Sequence, residues 1–188
     1  LVDATEWHFE ALNQSLSEVG SHIDRQEHLT EFDGLPTRTK LEMLSAKGRL
    51  DRNLHKLVEE RKQELTLEVF GERVVRQARQ QELMEFLSRK GLKLGLASNS
   101  VRSTVDLVLD MADLARWIPT SLSSSDVINP KPSPEIYLEC AMRLGVSPDN
   151  CLVVEDNAKG VEAAQRANMF ILKVKSPKDV TKESLALA

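Results

Sequence analysis

Cysteine is nearly absent from this chain. Cys140 and Cys151 are its two copies in 188 residues, too few for a disulfide framework and without the CxxC spacing of a zinc site, so a reducing, cytoplasmic setting is expected. Aromatic residues are scarce too, with 2 Trp, 1 Tyr and 5 Phe, and 25 basic against 29 acidic residues leave a net charge of −4. Neither a basic footprint nor a set of stacking platforms is on offer, which argues against a nucleic-acid partner. No apolar run approaches the roughly 18 residues of a membrane span, and no charged-then-apolar leader opens the chain, so no membrane partner is expected. Only 8 Gly and 7 Pro occur, far below the roughly 25–30% that marks low complexity. What is present, 41% apolar residues in a chain of this length, suffices for one sizeable core with an inserted or appended unit.

The apolar periodicity changes along the chain. Ala11, Leu12, Leu16 and Val19 recur at helical steps, as do Leu54, Leu57, Val58, Leu65 and Val69, predicting helices near 5–19 and 52–70. A turn at Phe32-Asp33-Gly34-Leu35-Pro36 and a shorter helix through Leu41 and Leu44 lie between them. After Gly71 helices alternate with short strands. Helices are expected near 74–89 and 101–112, and another starts with Ser133 as N-cap and Pro134 in its first turn and ends at Gly145. Strands are expected near 92–97, 120–123, 151–155 and 170–174. This order predicts an α/β fold, a Rossmann-like parallel sheet covered on both faces, with residues 1–72 as an α-helical cap and 73–188 as the α/β core.

In such a sheet ligands bind where strand C-termini run into loops, and three strand ends carry suggestive chemistry. Ser98-Asn99-Ser100 offers a hydroxyl and backbone N–H groups, either an anion cradle or a plain helix cap. Pro130-Lys131-Pro132-Ser133-Pro134 brackets one ammonium with prolines, which marks Lys131 off from a casual surface lysine. Glu155-Asp156 follows the apolar run Leu152-Val153-Val154 and suits a hard cation such as Mg²⁺, though acids also favour helix N-termini. A phosphate cradle, a fixed lysine and a carboxylate pair together describe a phosphoryl-transfer site.

Leu94-Gly-Leu-Ala-Ser-Asn-Ser100, Lys131-Pro-Ser-Pro-Glu-Ile-Tyr137 and Val153-Val-Glu-Asp-Asn-Ala-Lys-Gly160 resemble the second, third and fourth motifs of the haloacid dehalogenase superfamily. They occur in order and at family-like spacing. The opening Leu1-Val-Asp-Ala-Thr-Glu-Trp-His8 resembles the continuation of the first motif, and the helical stretch is similar to the small cap of the β-phosphoglucomutase-like phosphatases. The resemblance implies that Ser98, with the backbone of Asn99, holds the transferring phosphoryl group and that Lys131 neutralises its charge. Asp156 is implied as the main Mg²⁺ ligand, with Glu155 assisting directly or through water. In the cap, His8 matches a hinge-side histidine, and the turn from Gly34 to Lys40 matches the substrate-reading loop. Arg38, Lys40 and Lys62 are candidates to grip a second anionic group, although basic residues on helices are more often simply solvated.

The family's nucleophile and acid/base are the two aspartates of an Asp-x-Asp motif, expected a few residues ahead of Leu1; Asp3 matches a later acid of that motif. Glu31-Phe-Asp-Gly-Leu35 imitates the motif but begins with Glu, follows no apolar strand and runs into Pro36, so it is rejected. The strand ending in Asp-x-Asp would be central in the sheet, so a strand-wide space is expected between the 92–97 and 151–155 strands; direct pairing of those two would favour an inactive protein. The expected function is a Mg²⁺-dependent phosphatase of a small phosphorylated metabolite, a sugar phosphate first. The alternatives are a catalytically inactive phosphate-binding module and a phosphosugar mutase. Mutase-like caps favour Arg at the place held here by Thr37, with Arg38 beside it, which weighs toward the phosphatase. The sequence leaves the oligomeric state open.

Overall fold

The computed structural model describes residues 2–186, so Leu1 of the opening run and the last two residues of the predicted core lie outside the described residues. The chain divides into a helical unit, Asp3–Arg73, and a second unit that runs from Val74 onward and also takes in Val2.

In the helical unit, α1 (Thr5–Ser17) is followed by a short α2 (Arg25–Glu27), a π-helical turn (His28–Phe32), α3 (Thr37–Ala46), a 3₁₀ turn (Arg52–Leu54) and α4 (His55–Arg73). Leu12 and Leu16 of α1, Phe32 of the π turn, Leu41 and Leu44 of α3 and Val58 of α4 are buried in one cluster, which is the helical periodicity read in the sequence. Asp24 and Asp51 cap the starts of α2 and the 3₁₀ turn, their carboxylates accepting from Glu27 N and Asn53 N. The Asp-Gly imitation lies here. Phe32 is fully buried, Gly34 takes a positive φ of 72° and no strand precedes it, so the turn at 32–36 closes a π-helical turn that the periodicity did not announce.

The second unit contains α5 (Ala78–Arg89), β1 (Gly95–Ala97), α6 (Arg102–Met111), β2 (Thr120–Leu122), α7 (Glu135–Leu144), β3 (Leu152–Glu155), α8 (Ala158–Arg166), β4 (Phe170–Lys173) and α9 (Lys182–Ala186). Several boundaries differ from expectation: β1 starts at Gly95 and not near 92, and two helix starts move. The helix predicted over 74–89 starts at Ala78, because α4 continues to Arg73 and the next four residues are non-helical. Pro134, not Ser133, is the N-cap of α7, and no side chain caps it. The predicted end of that helix matches: Gly145 is left-handed at φ 60°, with the 6→1 bond from Val146 N to Ala141 O of a glycine-terminated helix.

The strands form two parallel pairs. Gly95, Leu96 and Ala97 pair with Thr120, Ser121 and Leu122, and Leu152–Glu155 pair with Phe170–Lys173. Among the described residues β1 and β3 do not pair with each other. Val153 is buried with Ile136, Tyr137 and Cys140 of α7 and Ala163 and Ala164 of α8. Its neighbours Leu152 and Val154, which face the other way, are 39% and 38% exposed. β3 is therefore covered on one face, where the sequence predicted two. α7 packs tightly on β1: a Cβ at Gly95 would sit 2.6 Å from Cys140 Sγ. No helix among the described residues is long and apolar enough to cross a membrane.

Candidate functional site

Lys131 is where the two strand pairs are tied together. Its Nζ donates to Ala97 O at the end of β1 (3.0 Å) and to Glu155 Oε2 at the end of β3 (2.8 Å). The lysine is 8% exposed, so this ammonium is held in place and does not sample solvent. Its backbone is clamped as well. Asn99 Oδ1 accepts from Lys131 N (3.0 Å), and Asn99 Nδ2 donates to Lys131 O (3.1 Å). An ammonium has three donors; two are committed, and one is left.

Ser98 continues the β1–β2 ladder through its N–H to Leu122 O (2.9 Å). Its Oγ accepts from Ser100 N (3.1 Å), which leaves the hydroxyl proton to donate elsewhere. The helix-cap reading of this segment does not hold, because α6 has Val101 as its N-cap with no side-chain bond. Ser98-Asn99-Ser100 is a loop at the strand end.

Glu155 is the most heavily engaged group of the site. Oε2 accepts from Lys131 Nζ and from the Tyr137 hydroxyl (2.6 Å), and Oε1 accepts from Asp156 N (3.1 Å) and Asn157 N (3.0 Å). A carboxylate has about four lone-pair sites, and all are used. Burial alone would raise its pKa, but the Lys131 charge and hydrogen bond, with the Tyr137 and Asn157 donors, carry it down to about 2. Asp156 behaves oppositely: burial and the adjacent Glu155 charge hold its carboxyl above the usual range. Gly160 makes this packing possible, since a Cβ there would fall 2.1 Å from Glu155 Oε2. Asn157 caps α8 through Lys159 N (2.9 Å).

Mg²⁺ takes one or two carboxylates and otherwise keeps water and phosphate oxygens. Asp156, whose ionised form is disfavoured beside another carboxylate, fits such a cation. Glu155, with its oxygens saturated, fits as a neighbour that orients Asp156. No group of three or more His, Cys, Asp or Glu side chains gathers as a metal cluster among the described residues.

The sequence reading missed Tyr137. Besides its bond to Glu155, its ring lies under the Lys131 ammonium at 4.5 Å. Burial, then the Glu155 charge, keep its hydroxyl protonated far above the ordinary tyrosine range. It was visible as the last residue of the Lys131 motif, but on an apolar helix it reads as core.

The remaining candidates belong to the helical unit. Lys40 is 7% exposed. Lys62 Nζ lies 3.5 Å from His8 Nδ1. Arg38 is exposed.

Comparison with known proteins places this geometry. The family profile described as "Haloacid dehalogenase-like hydrolase" matches residues 1–174. A "Phosphorylated carbohydrates phosphatase" of Thermotoga maritima is 32% identical over 174 residues, covering 90% of this chain and 77% of that protein. "Hexitol phosphatase B" of Escherichia coli K12 is 35% identical over 96 residues, 51% of this chain and 43% of that protein. Among solved structures, a β-phosphoglucomutase from Clostridium difficile superposes with a TM-score of 0.85 at 22% identity, over 100% of this chain and 91% of that one; at that identity the likeness speaks to the fold.

Proposed function

We propose, for a chain that belongs to the haloacid dehalogenase-like hydrolases, that the protein is a Mg²⁺-dependent phosphatase of a small phosphorylated metabolite, with sugar phosphates as the first substrates to test. The observation that carries this reading is the Lys131 ammonium, fixed by Ala97 O and Glu155 with one donor to spare at the strand ends. A point charge held without reorganisation is what a transferring phosphoryl group requires. Two relatives support the substrate class: their names concern phosphorylated carbohydrates and hexitol phosphates.

In this mechanism the Ser98 hydroxyl and the backbone at Asn99 hold two phosphoryl oxygens while Lys131 neutralises a third. Asp156 holds the metal, and Glu155 keeps Lys131 and the Asp156 backbone in register. Bound there, Mg²⁺ would supply charge neutralisation on the phosphoryl oxygens. The attacking carboxylate is the first aspartate of the family's Asp-x-Asp motif, as the resemblance implies. Its oxygen bonds to phosphorus as the substrate alkoxide leaves with a proton from the motif's second aspartate; water then gives a proton back to that aspartate as it attacks phosphorus, returning the carboxylate and inorganic phosphate. For His8, Arg38, Lys40 and Lys62 of the helical unit, the resemblance implies a role in reading the substrate. The test is release of inorganic phosphate by the full-length protein from a panel of hexose, pentose and hexitol phosphates, with Mg²⁺ or with chelator. Mg²⁺-dependent turnover of at least one supports the reading. No turnover by well-folded protein across the panel refutes it.

A further inference from the structure

The loop Ser98-Asn99-Ser100 carries two of the groups assigned to the phosphoryl oxygens, and its backbone is anchored from the end of β2. Ser100 O accepts from Ser124 N (2.9 Å) and from Ser124 Oγ (3.2 Å). Ser100 N in turn donates to Ser98 Oγ (3.1 Å). Ser124 opens a 3₁₀ turn, Ser124–Asp126, that follows β2. A reciprocal cap closes this turn: Ser123 Oγ accepts from Ser125 N (3.1 Å), and Asp126 Oδ2 accepts from Ser123 N (2.7 Å) and from the Ser123 hydroxyl. Arg102 draws the same carboxylate oxygen toward α6. Its Nη2 donates to Asp126 Oδ2 and to Ser121 O (2.9 Å), and its Nη1 donates to Ser121 Oγ (3.0 Å). Burial would raise the Asp126 pKa, but the Ser123 hydroxyl and N–H, with the Arg102 charge, carry it down to about 2. Arg102 is the first residue of α6, two positions after Ser100. The contacts close a ring: loop to turn through Ser124, turn to helix through Asp126 and Arg102, and helix back to loop along the chain.

A capped turn beside a helix start is ordinary scaffolding when its donors stay on its own backbone. Here both donors of Ser124 go to a single carbonyl of the loop that carries the Ser98 hydroxyl. We propose that Ser124, Asp126 and Arg102 are positioning residues for phosphoryl transfer: the Arg102–Asp126 pair holds the turn, Ser124 holds Ser100 O, and the Ser98 hydroxyl and Asn99 N–H are thereby kept aimed at the phosphoryl oxygens. The chemistry of this role rests on the phosphatase reading; the anchoring does not. Donors stabilise transition-state charge without reorganisation only when their frame is rigid, and a misplacement of about 1 Å can cost about a hundredfold in rate. Lys131 and the metal still hold the bound ester when the loop loosens, so the loss falls on kcat and not on KM.

The test variant is Asp126→Ala in the full-length protein. Arg102 keeps Ser121 and Asp106 (3.2 Å) as partners, so no guanidinium is stranded. The probe substrate is p-nitrophenyl phosphate, or the fastest ester of the sugar phosphate panel where that is slow. Asp126→Ala lowers kcat about tenfold and leaves KM within about twofold. In a Ser98→Ala background the same change lowers kcat less than about threefold, because a group it positions has gone. Arg102→Met repeats the pattern and Arg102→Lys recovers part of it. Should Asp126→Ala fail to fold, Asp126→Asn, which keeps an acceptor for Ser123 and loses the charge facing Arg102, carries the same expectations. Hydrogen exchange gives a readout independent of turnover: the Ser100 amide exchanges about tenfold faster in the variant, while the β3–β4 ladder amides are unchanged. A lower Tm with kcat and KM unchanged, an equal kcat loss with and without the Ser98 hydroxyl, or unaltered Ser100 exchange overturns the proposal. Faster Ser100 exchange in a protein that hydrolyses none of these esters counts against the phosphatase reading and leaves the anchoring in place.

Discussion

Replacing Lys131 by Met should destabilise the α/β unit far more than a surface lysine substitution. The change removes the ammonium that holds Glu155 Oε2 at 2.8 Å and Ala97 O at 3.0 Å and leaves a carboxylate that is 11% exposed without its cation. Breaking a buried pair from one side costs about 3–5 kcal/mol. Tyr137 and two backbone N–H groups still donate to that carboxylate, which places the expected loss at the lower end, about 3 kcal/mol. Adding Glu155→Gln to Lys131→Met should then recover about 1–2 kcal/mol, because the uncompensated charge goes. Urea unfolding followed by Trp117 fluorescence in a Trp7→Phe background reports on this unit alone, since Trp7 lies in the helical one. The pH dependence has a definite sign. Glu155 titrates near 2 in the folded protein against an ordinary 4.5, so its contribution is full above pH 4.5 and is lost as pH falls toward 2. In Lys131→Met burial is no longer outweighed by the lysine, the folded-state pKa rises, and that acid loss should shrink or reverse. A cost below about 1 kcal/mol, with no recovery in the double variant, would refute the assignment of Lys131 as a buried structural cation.

Tyr137→Phe keeps the ring under Lys131 and removes one hydrogen bond to Glu155. It should cost about 1–2 kcal/mol in stability and lower kcat with little change in KM, measured by steady-state kinetics on the full-length protein. Gly160→Ala should displace the Glu155 side chain, since the added methyl meets its carboxylate at 2.1 Å; both thermal stability and Mg²⁺ affinity by calorimetry should fall. Asp156→Ala should abolish Mg²⁺-dependent turnover while leaving Tm near or above that of the parent, because the ionised carboxylate is disfavoured where it stands.

Much of this arrangement could be read from residues alone, for identifiable reasons. Apolar runs ending in small polar or acidic residues located β1 and β3, and prolines on both sides singled out Lys131. The reach of these side chains is another matter. Asn99 spends its amide on clamping Lys131, a contact across 32 residues that no local spacing encodes. Tyr137 sits among the buried residues of α7, where a hydroxyl looks like any other core aromatic until its partner is placed. Lys40 is a candidate for a second anionic group by resemblance, but its burial is not legible in the sequence, because it lies on the side of α3 that also buries Leu41 and Leu44. Coverage of β3 on one face was missed because Leu152, Val153 and Val154 are all apolar, so composition cannot tell the buried side from the exposed one.

The central claim is that Ser98, Asn99, Lys131 and the Glu155-Asp156 pair form one phosphate and metal site at the strand ends. A crystal structure of the full-length protein with Mg²⁺ and tungstate, a phosphate mimic, tests it most directly. The account predicts tungstate oxygens on Ser98 Oγ, the backbone N–H of Asn99 and Lys131 Nζ, with Mg²⁺ on Asp156 and Glu155 still bonded to Lys131. Tungstate bound away from Lys131, or Mg²⁺ bound away from Asp156, would contradict it.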